Sequence, residues 1–323
     1  MNKAKILPGL ISILAAACAW PASIAAGQVP APRVAAHQHL NSPEFATISN
    51  LPTLDGAALL GLLDQAGIRR GVVLSMGYSY GDERKKIPEA SRDGLTVQEN
   101  NWTSQQTVQS HGRLVGFCGV NPLRNGATAE IERCLRLPGM IGVKLHFANS
   151  GVSLRNPAHV ARLQQIFALA NAHHAPIVVH MRARTGSPYG AEDAQLFIDK
   201  LLPAAPDIVV QVAHLAGSGL FPPDAEAAMK VFAAAIARQD PRTRNLYFDQ
   251  CTVAEPSSTS ADGARIAAVI RSVGARRVFF GSDFPTADNP APGAAWEIFK
   301  AKVPLTPAEM RQIALNIPSY LRR

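Results

Sequence analysis

Short apolar runs recur along this chain between longer amphipathic stretches, and several of them stop at an ionisable residue. Arg33-Val34-Ala35-Ala36 leads to His37-Gln38-His39, and Pro176-Ile177-Val178-Val179 ends at His180. Ile208 to Ala213 ends at His214, and Arg277-Val278-Phe279-Phe280-Gly281-Ser282 leads to Asp283. Runs of this length read as buried strands, so each polar group stands where a strand leaves the core. Eight strands are predicted, over 34–39, 71–76, 114–120, 141–146, 176–180, 208–213, 246–249 and 277–281. Helical periodicity fills the intervals at 54–66, 97–110, 127–135, 158–173, 191–202, 223–237 and 261–273, with a tail helix at 307–315. Residues 77–100 are charged and punctuated by Gly and Pro, which predicts a long loop.

Alternating strands and helices with β-branched strands predict a parallel sheet covered by helices. Eight units favour closure into an α/β (β/α)8 barrel, slightly elaborated. A doubly wound open sheet would want a G-x-G-x-x-G turn after an early strand, and the chain has none. No linker or internal repeat divides residues 27–323, so they are read as one domain.

Residues 1–26 stand apart. Lys3 and Lys5 precede an apolar stretch from Ile6 to Trp20, and small residues follow at Ser23, Ala25 and Ala26. This is the layout of a cleaved signal peptide, which implies a periplasmic or secreted protein. A spanning anchor needs roughly 20 apolar residues, and Pro8, Gly9 and Pro21 shorten this run. Cys18 lacks the Leu three places before it that a lipoprotein box wants. No membrane partner beyond export is expected.

The formal net charge is +8, of which Lys3 and Lys5 contribute two. The longest basic block is Arg84-Lys85-Lys86 and aromatics are few, which argues against a nucleic-acid partner. A mildly basic balance suits an anionic small-molecule substrate. Cys118, Cys134 and Cys251 are too few and odd in number for a disulfide framework, so a core held by burial and not by staples is expected.

The strand ends carry the candidate chemistry. His37 and His39 lie two apart on one strand, so both imidazoles share a face. Two neutral imidazoles with His180 from strand five and Asp283 after strand eight suit one divalent ion and leave a position open for water. Zn2+ is the first choice; Mn2+, Fe2+ and Co2+ are also accepted by such ligands. His214 reads as a general acid/base, since imidazole is the side chain most easily tuned near neutral pH. Asp283 could both bind the ion and accept a proton. Lys144 and His146 end strand four on one face and are candidate substrate contacts. Arg182 and Arg184 could clamp a carboxylate. Tyr78 and Tyr80 lie on the loop that could cover the pocket, and Asp249 could hydrogen-bond to an active-site group.

Taken together, His37-Gln38-His39, Gly142-Val143-Lys144-Leu145-His146, Ile177-Val178-Val179-His180, Ala213-His214-Leu215-Ala216-Gly217 and Gly281-Ser282-Asp283-Phe284-Pro285 resemble the amidohydrolase superfamily. The resemblance is to its amidohydrolase-related branch, which includes aminocarboxymuconate-semialdehyde decarboxylase and related lactonases and hydrolases. It runs from about Val34 to the C-terminus, and Asn316 fits the closing helix. It implies a metal at His37, His39, His180 and Asp283, with His214 acting on substrate or water. In some superfamily members a lysine at the end of strand four is carboxylated, which leaves the state of Lys144 open. The resemblance also allows a homodimer. The expected activity is metal-dependent hydrolysis of an amide, lactone, ester or C–C bond. The alternatives are a non-oxidative decarboxylase on the same site and a non-catalytic envelope binding protein.

Overall fold

Eight parallel strands form one sheet in the order β1 to β8, in a computed structural model that describes residues 29–286 and 288–322. They are β1 (Val34–Gln38), β2 (Arg70–Leu74), β3 (Leu114–Gly119), β4 (Met140–His146), β5 (Ile177–His180), β6 (Val210–Val212), β7 (Leu246–Asp249) and β8 (Val278–Phe279). The residues just beyond β8 close the circuit onto β1. The Ala36 amide donates to the Phe280 carbonyl at 2.7 Å, and the amides of Ser282 and Asp283 donate to the His37 carbonyl at 3.2 and 3.0 Å. The predicted (β/α)8 barrel is therefore present. The predicted signal peptide lies outside the described residues. No helix among the described residues is long and apolar enough to cross a membrane.

Two apolar layers hold the barrel. Between sheet and helices lies the larger cluster, built from strand residues such as Ala35, Val73, Val143 and Val179 and from helix residues such as Leu63, Phe167, Phe232 and Ile270. Inside the barrel lies a smaller one: Val34, Ala36, Val72, Leu74, Phe117, Val178 and Phe279. Its lower end is stopped by the C-terminus, where Leu321, Tyr320 and Ile317 pack against it. Arg70 Nη1 donates to the Leu321 carbonyl at 2.7 Å. Asn316 Nδ2 donates to the carbonyls of Ala275 and Val278 at 2.8 and 2.7 Å, which ties the tail to the start of β8.

Three expectations need correction. The stretch 77–100 is mostly ordered as helix: a 3-10 helix spans Met76–Gly81 and an α-helix runs from Arg92 to Gln109. Apolar periodicity missed its first turns because the face it buries is polar, with Arg92, Thr96, Glu99, Asn100, Thr103 and Thr107 at helical spacing. Helices Pro43–Ser49 and Pro292–Lys302 were also not anticipated. Finally, Cys118 and Cys134 form a disulfide, with Cα atoms 6.0 Å apart, joining β3 to the helix Ala127–Cys134. Burial is thus supplemented by one staple, and the odd count leaves Cys251 as a buried free thiol.

Candidate active site

The predicted site residues converge because two strands are irregular. Val34 and Ala36 face the barrel interior, so strict alternation would turn His37 and His39 outward. However, Ala35 pairs with Gly71 and Gln38 with Val73, so three steps of β1 oppose two of β2. That one-residue bulge re-aims the strand and brings both imidazoles inward. β4 has a similar shift, Gly116 pairing with Met140 and Phe117 with Gly142. Beyond it, Lys144 pairs with Val178 and His146 with His180. Gly281 is required where β8 passes β1: a side chain there would come within 2.6 Å of His37 Cβ and overlap Cys251 Sγ.

Three imidazoles are oriented by a partner on the outer nitrogen. His37 Nδ1 donates to Asp249 Oδ2 at 2.9 Å, His39 Nδ1 to the Leu74 carbonyl at 2.6 Å and His214 Nδ1 to the Cys251 carbonyl at 3.1 Å. A carbonyl or carboxylate can only accept, so each Nδ1 carries the proton and each neutral ring keeps its lone pair on Nε2. The Nε2 atoms of His37 and His39 each stand 3.1 Å from Asp283 Oδ1. Ligand atoms of His37, His214 and Asp283 all lie within 4.8 Å of one another. Asp283 is pinned through its other oxygen, which accepts from Thr286 Oγ1 at 2.8 Å and Asn289 Nδ2 at 2.9 Å.

Three acceptor atoms thus meet in a buried site, with the Lys144 ammonium 3.2 Å from one of them, His37 Nε2. A buried acceptor left without a partner costs about 1–3 kcal/mol, and one cation at this place serves all three. Nitrogen and oxygen ligands about 3 Å apart are also what an ion with bonds of roughly 2.0–2.1 Å requires. His180 adds a second sign: its Nε2 is buried with no hydrogen-bond partner. The donor set therefore fits a divalent ion. Charge separates His37 from the other rings. Burial and Lys144 would lower the His37 pKa, yet the Asp249 and Asp283 carboxylates outweigh them and raise it. Burial would raise Asp283, but the neighbouring His37 and His39 rings hold it well below the usual carboxylate range. Burial also lowers His39, to about 4, and His180 and His214, which keeps these rings neutral.

Lys144, His146, Tyr78, Arg182 and Arg184 line one cavity of about 480 Å3 above this cluster, together with His39, His180, His214 and Asp283. Lys144 is buried at its floor, Nζ 3.2 Å from His37 Nε2, and burial lowers its pKa to about 8. His146 stacks on His180 with ring centroids 3.9 Å apart, and Tyr78 stacks on His146 at 5.0 Å. Arg182 and Arg184 reach the cavity, but both are engaged. Arg182 forms a bidentate pair with Asp224 at 2.5 and 2.6 Å. Arg184 donates to the Ala148 and Asn149 carbonyls at 2.8 and 3.4 Å. Tyr80 is not in the cavity wall; its hydroxyl donates to the buried Glu99.

Asp249 proves to be the hub of the outer layer. Besides His37 it accepts from Gln211 Nε2 at 2.7 Å and from the His214 amide at 2.8 Å. Burial would raise its pKa, and the His37 ring and the other donors hold it far below the carboxylate norm. Sequence reasoning passed over Gln211, Thr286 and Asn289. Gln211 did carry a signal, as a polar residue inside an apolar strand run. His214, Leu215 and Ala216 have φ of 56, 45 and 63°, and Asp283 has φ of 57°. Non-glycine residues are held in that region only where the surroundings impose it, and such positions cluster at functional sites. The imposed turn also explains why β6 stops at Val212, short of the predicted end.

A family model described as "Amidohydrolase" matches residues 88–316. The match begins after His37 and His39. Among solved structures, 5-carboxyvanillate decarboxylase from Sphingomonas paucimobilis is 12% identical, with 89% of this chain and 97% of that chain covered and a TM-score of 0.60. The 2,6-dihydroxybenzoate decarboxylase from Rhizobium is 16% identical over 88% and 96%, with a TM-score of 0.58. A probable 2-pyrone-4,6-dicarboxylic acid hydrolase from Acinetobacter baumannii, with citric acid bound, is 16% identical over 87% and 95%, with a TM-score of 0.56. At these identities the likeness is one of fold. No curated protein sequence matches the chain.

Proposed function

Because the chain belongs to the amidohydrolase family, we propose that it is a metal-dependent hydrolase acting on a small anionic substrate. The observation that carries this reading is the meeting of His37 Nε2, His39 Nε2 and Asp283 Oδ1 at 3.1 Å with every Nδ1 proton committed elsewhere. His37, His39, His180 and Asp283 would hold one divalent ion, zinc before manganese, iron or cobalt. When bound, the ion supplies Lewis acidity, acidifying water and polarising a carbonyl.

The chain's own groups do the rest. Asp283 Oδ1 is the proton acceptor, since Thr286 and Asn289 fix Oδ2 and leave Oδ1 facing the cluster. His214 holds or delivers a proton at Nε2, because its Nδ1 is committed to the Cys251 carbonyl. Lys144 Nζ and the Tyr78 hydroxyl donate to a substrate oxygen. The stacked His146 and Tyr78 rings shape one wall and exclude water. Arg182 acts at one remove. Its pair with Asp224, and its place over the Tyr189 ring, anchor the tyrosine whose hydroxyl donates to the Ala216 carbonyl in the strained turn.

A decarboxylase remains the second reading, favoured by the cationic side chains around the cavity. The two separate on one experiment. With the metal-loaded enzyme in isotope-labelled water, hydrolysis places the label in a new carboxylate or hydroxyl. Release of CO2 without such incorporation identifies the lyase and contradicts the hydrolase reading. We also propose that the protein is exported to the periplasm or the medium. The Cys118–Cys134 disulfide supports this, since disulfides persist in oxidising compartments.

A further inference from the structure

The basic residues around the cavity are not equivalent. Arg84 is neutralised by both oxygens of Asp82, at 2.9, 3.2 and 2.6 Å, and Arg182 by Asp224. Arg184 is spent on backbone carbonyls and stands 3.5 Å from Asp82. Lys85 differs from all three. Among the described residues it forms no ion pair; its Nζ donates to Ser49 Oγ at 2.8 Å and sits 4.6 Å from the centroid of the Phe45 ring. An ammonium carries three N–H donors, and one hydroxyl uses one. Ser49 accepts from Lys85, which leaves its own O–H free to donate. Both residues line the cavity that contains His39, His180 and Asp283.

The position is also built. The Lys85 amide donates to the Asp82 carbonyl at 3.0 Å, and the Lys85 carbonyl accepts from the Ile87 amide at 2.8 Å. Arg92, buried beneath, donates to the carbonyls of Tyr80 and Asp82 at 2.8 Å and to that of Lys85 at 3.1 Å. One guanidinium thus clamps three carbonyls of the segment and fixes the backbone that carries the lysine. Burial lowers the Lys85 pKa from its usual value, with the Asp82 and Glu99 charges opposing and the Arg84 charge adding to it.

We propose that Lys85 and Ser49 form the recognition site for a substrate carboxylate separate from the group that reacts. The substrate class is then a small molecule with a hydrolysable or removable group at one end and a carboxylate at the other. This rests on the reading that the metal-binding cluster is the reaction centre. A carboxylate accepts one charge-assisted bond from the ammonium and one from the hydroxyl. The Arg182 and Arg184 side chains hold the walls and do not bind the anion.

The test is calorimetric binding to the full, metal-loaded protein with succinate, benzoate and benzene-1,3-dicarboxylate, beside the neutral 1,3-diamide. Lys85→Met is expected to weaken the anions about tenfold or more, as loss of a charged hydrogen bond implies, and to leave the diamide unchanged. Lys85→Arg should retain most of the affinity, and Ser49→Ala should lose a smaller part of it. Equal anion affinity in Lys85→Met and parent overturns the proposal, as does failure of all three anions to bind the parent at roughly millimolar concentration. If Lys85→Met does not fold, the Ser49→Ala and Lys85→Arg pair decides on the same criteria. A protein that takes up no metal yet binds these anions through Lys85 would remove the proposed reaction and leave this site standing.

Discussion

The two ends of the barrel solve the same problem with different materials. At the lower end, Val34, Ala36, Val72 and Phe117 are covered by Ile317, Tyr320 and Leu321 of the tail, and contact among apolar atoms does the work. At the upper end the barrel is equally buried, yet His37, Lys144, Gln211 and Asp249 are all 0–1% exposed. There His37, His39 and His214 are each placed by an acceptor behind the ring, and the bulges in β1 and β4 supply the geometry. The lower end is regular and tolerant in principle. The upper end carries positive φ at His214 and Asp283 and a His180 nitrogen with no partner. Positive φ also occurs at His111, His174 and Gln239, and the Tyr320 hydroxyl of the plug is also without a partner, but at the upper end such features fall on His180, His214 and Asp283, which line the cavity where a ligand can repay them.

If this division is right, perturbing the ends should separate stability from chemistry. The largest effect is expected from Asp283→Asn, which keeps the shape but removes the charge and the proton acceptor. Turnover should fall by about 1,000-fold or more while the thermal midpoint stays close to that of the parent. Leu321→Ala should do the reverse. It removes a plug side chain that is 5% exposed and should cost about 2–4 kcal/mol, read as a lower urea midpoint with unchanged metal affinity. Reduction of Cys118–Cys134, which closes a loop of 16 residues, should cost up to about 3 kcal/mol, again with metal content intact. The smallest and most diagnostic change is Asp249→Asn. It loosens the His37 ring without removing a ligand, so metal affinity should fall by about 10- to 100-fold, measured by competition with a chelator. An Asp249→Asn protein that holds metal as tightly as the parent would place Asp249 among purely structural residues.

The strands and their polar ends were legible because a run of β-branched residues that stops at His or Asp has few other readings. His180 and Asp283 needed nothing more. The pairing of His37 with His39 was legible from their spacing, but the bulge that lets Val34 and Ala36 share their direction was not. A bulge is set by cross-strand register, which no local pattern encodes. The helix Arg92–Gln109 was half hidden because its inward face is polar, so hydrophobic periodicity had little to find. The helix Pro43–Ser49 did carry a signal: Ser42 caps it through the Phe45 amide, with Pro43 and Glu44 in the first turn. Arg182 and Arg184 were visible as cations near the site. That Asp224 and two backbone carbonyls engage them depends on tertiary contacts from other elements. The same holds for the Cys118–Cys134 bond, since spacing alone does not bring two thiols together.

The central claim is that the cluster at the upper end is a metal site. It is tested most directly by the metal content of the protein, purified without chelators, beside a His37→Ala/His39→Ala variant of unchanged thermal midpoint. Close to one divalent ion per chain in the parent, and its loss in the variant, is the predicted result. A parent without metal that cannot be loaded by added zinc, manganese, iron or cobalt would contradict the account.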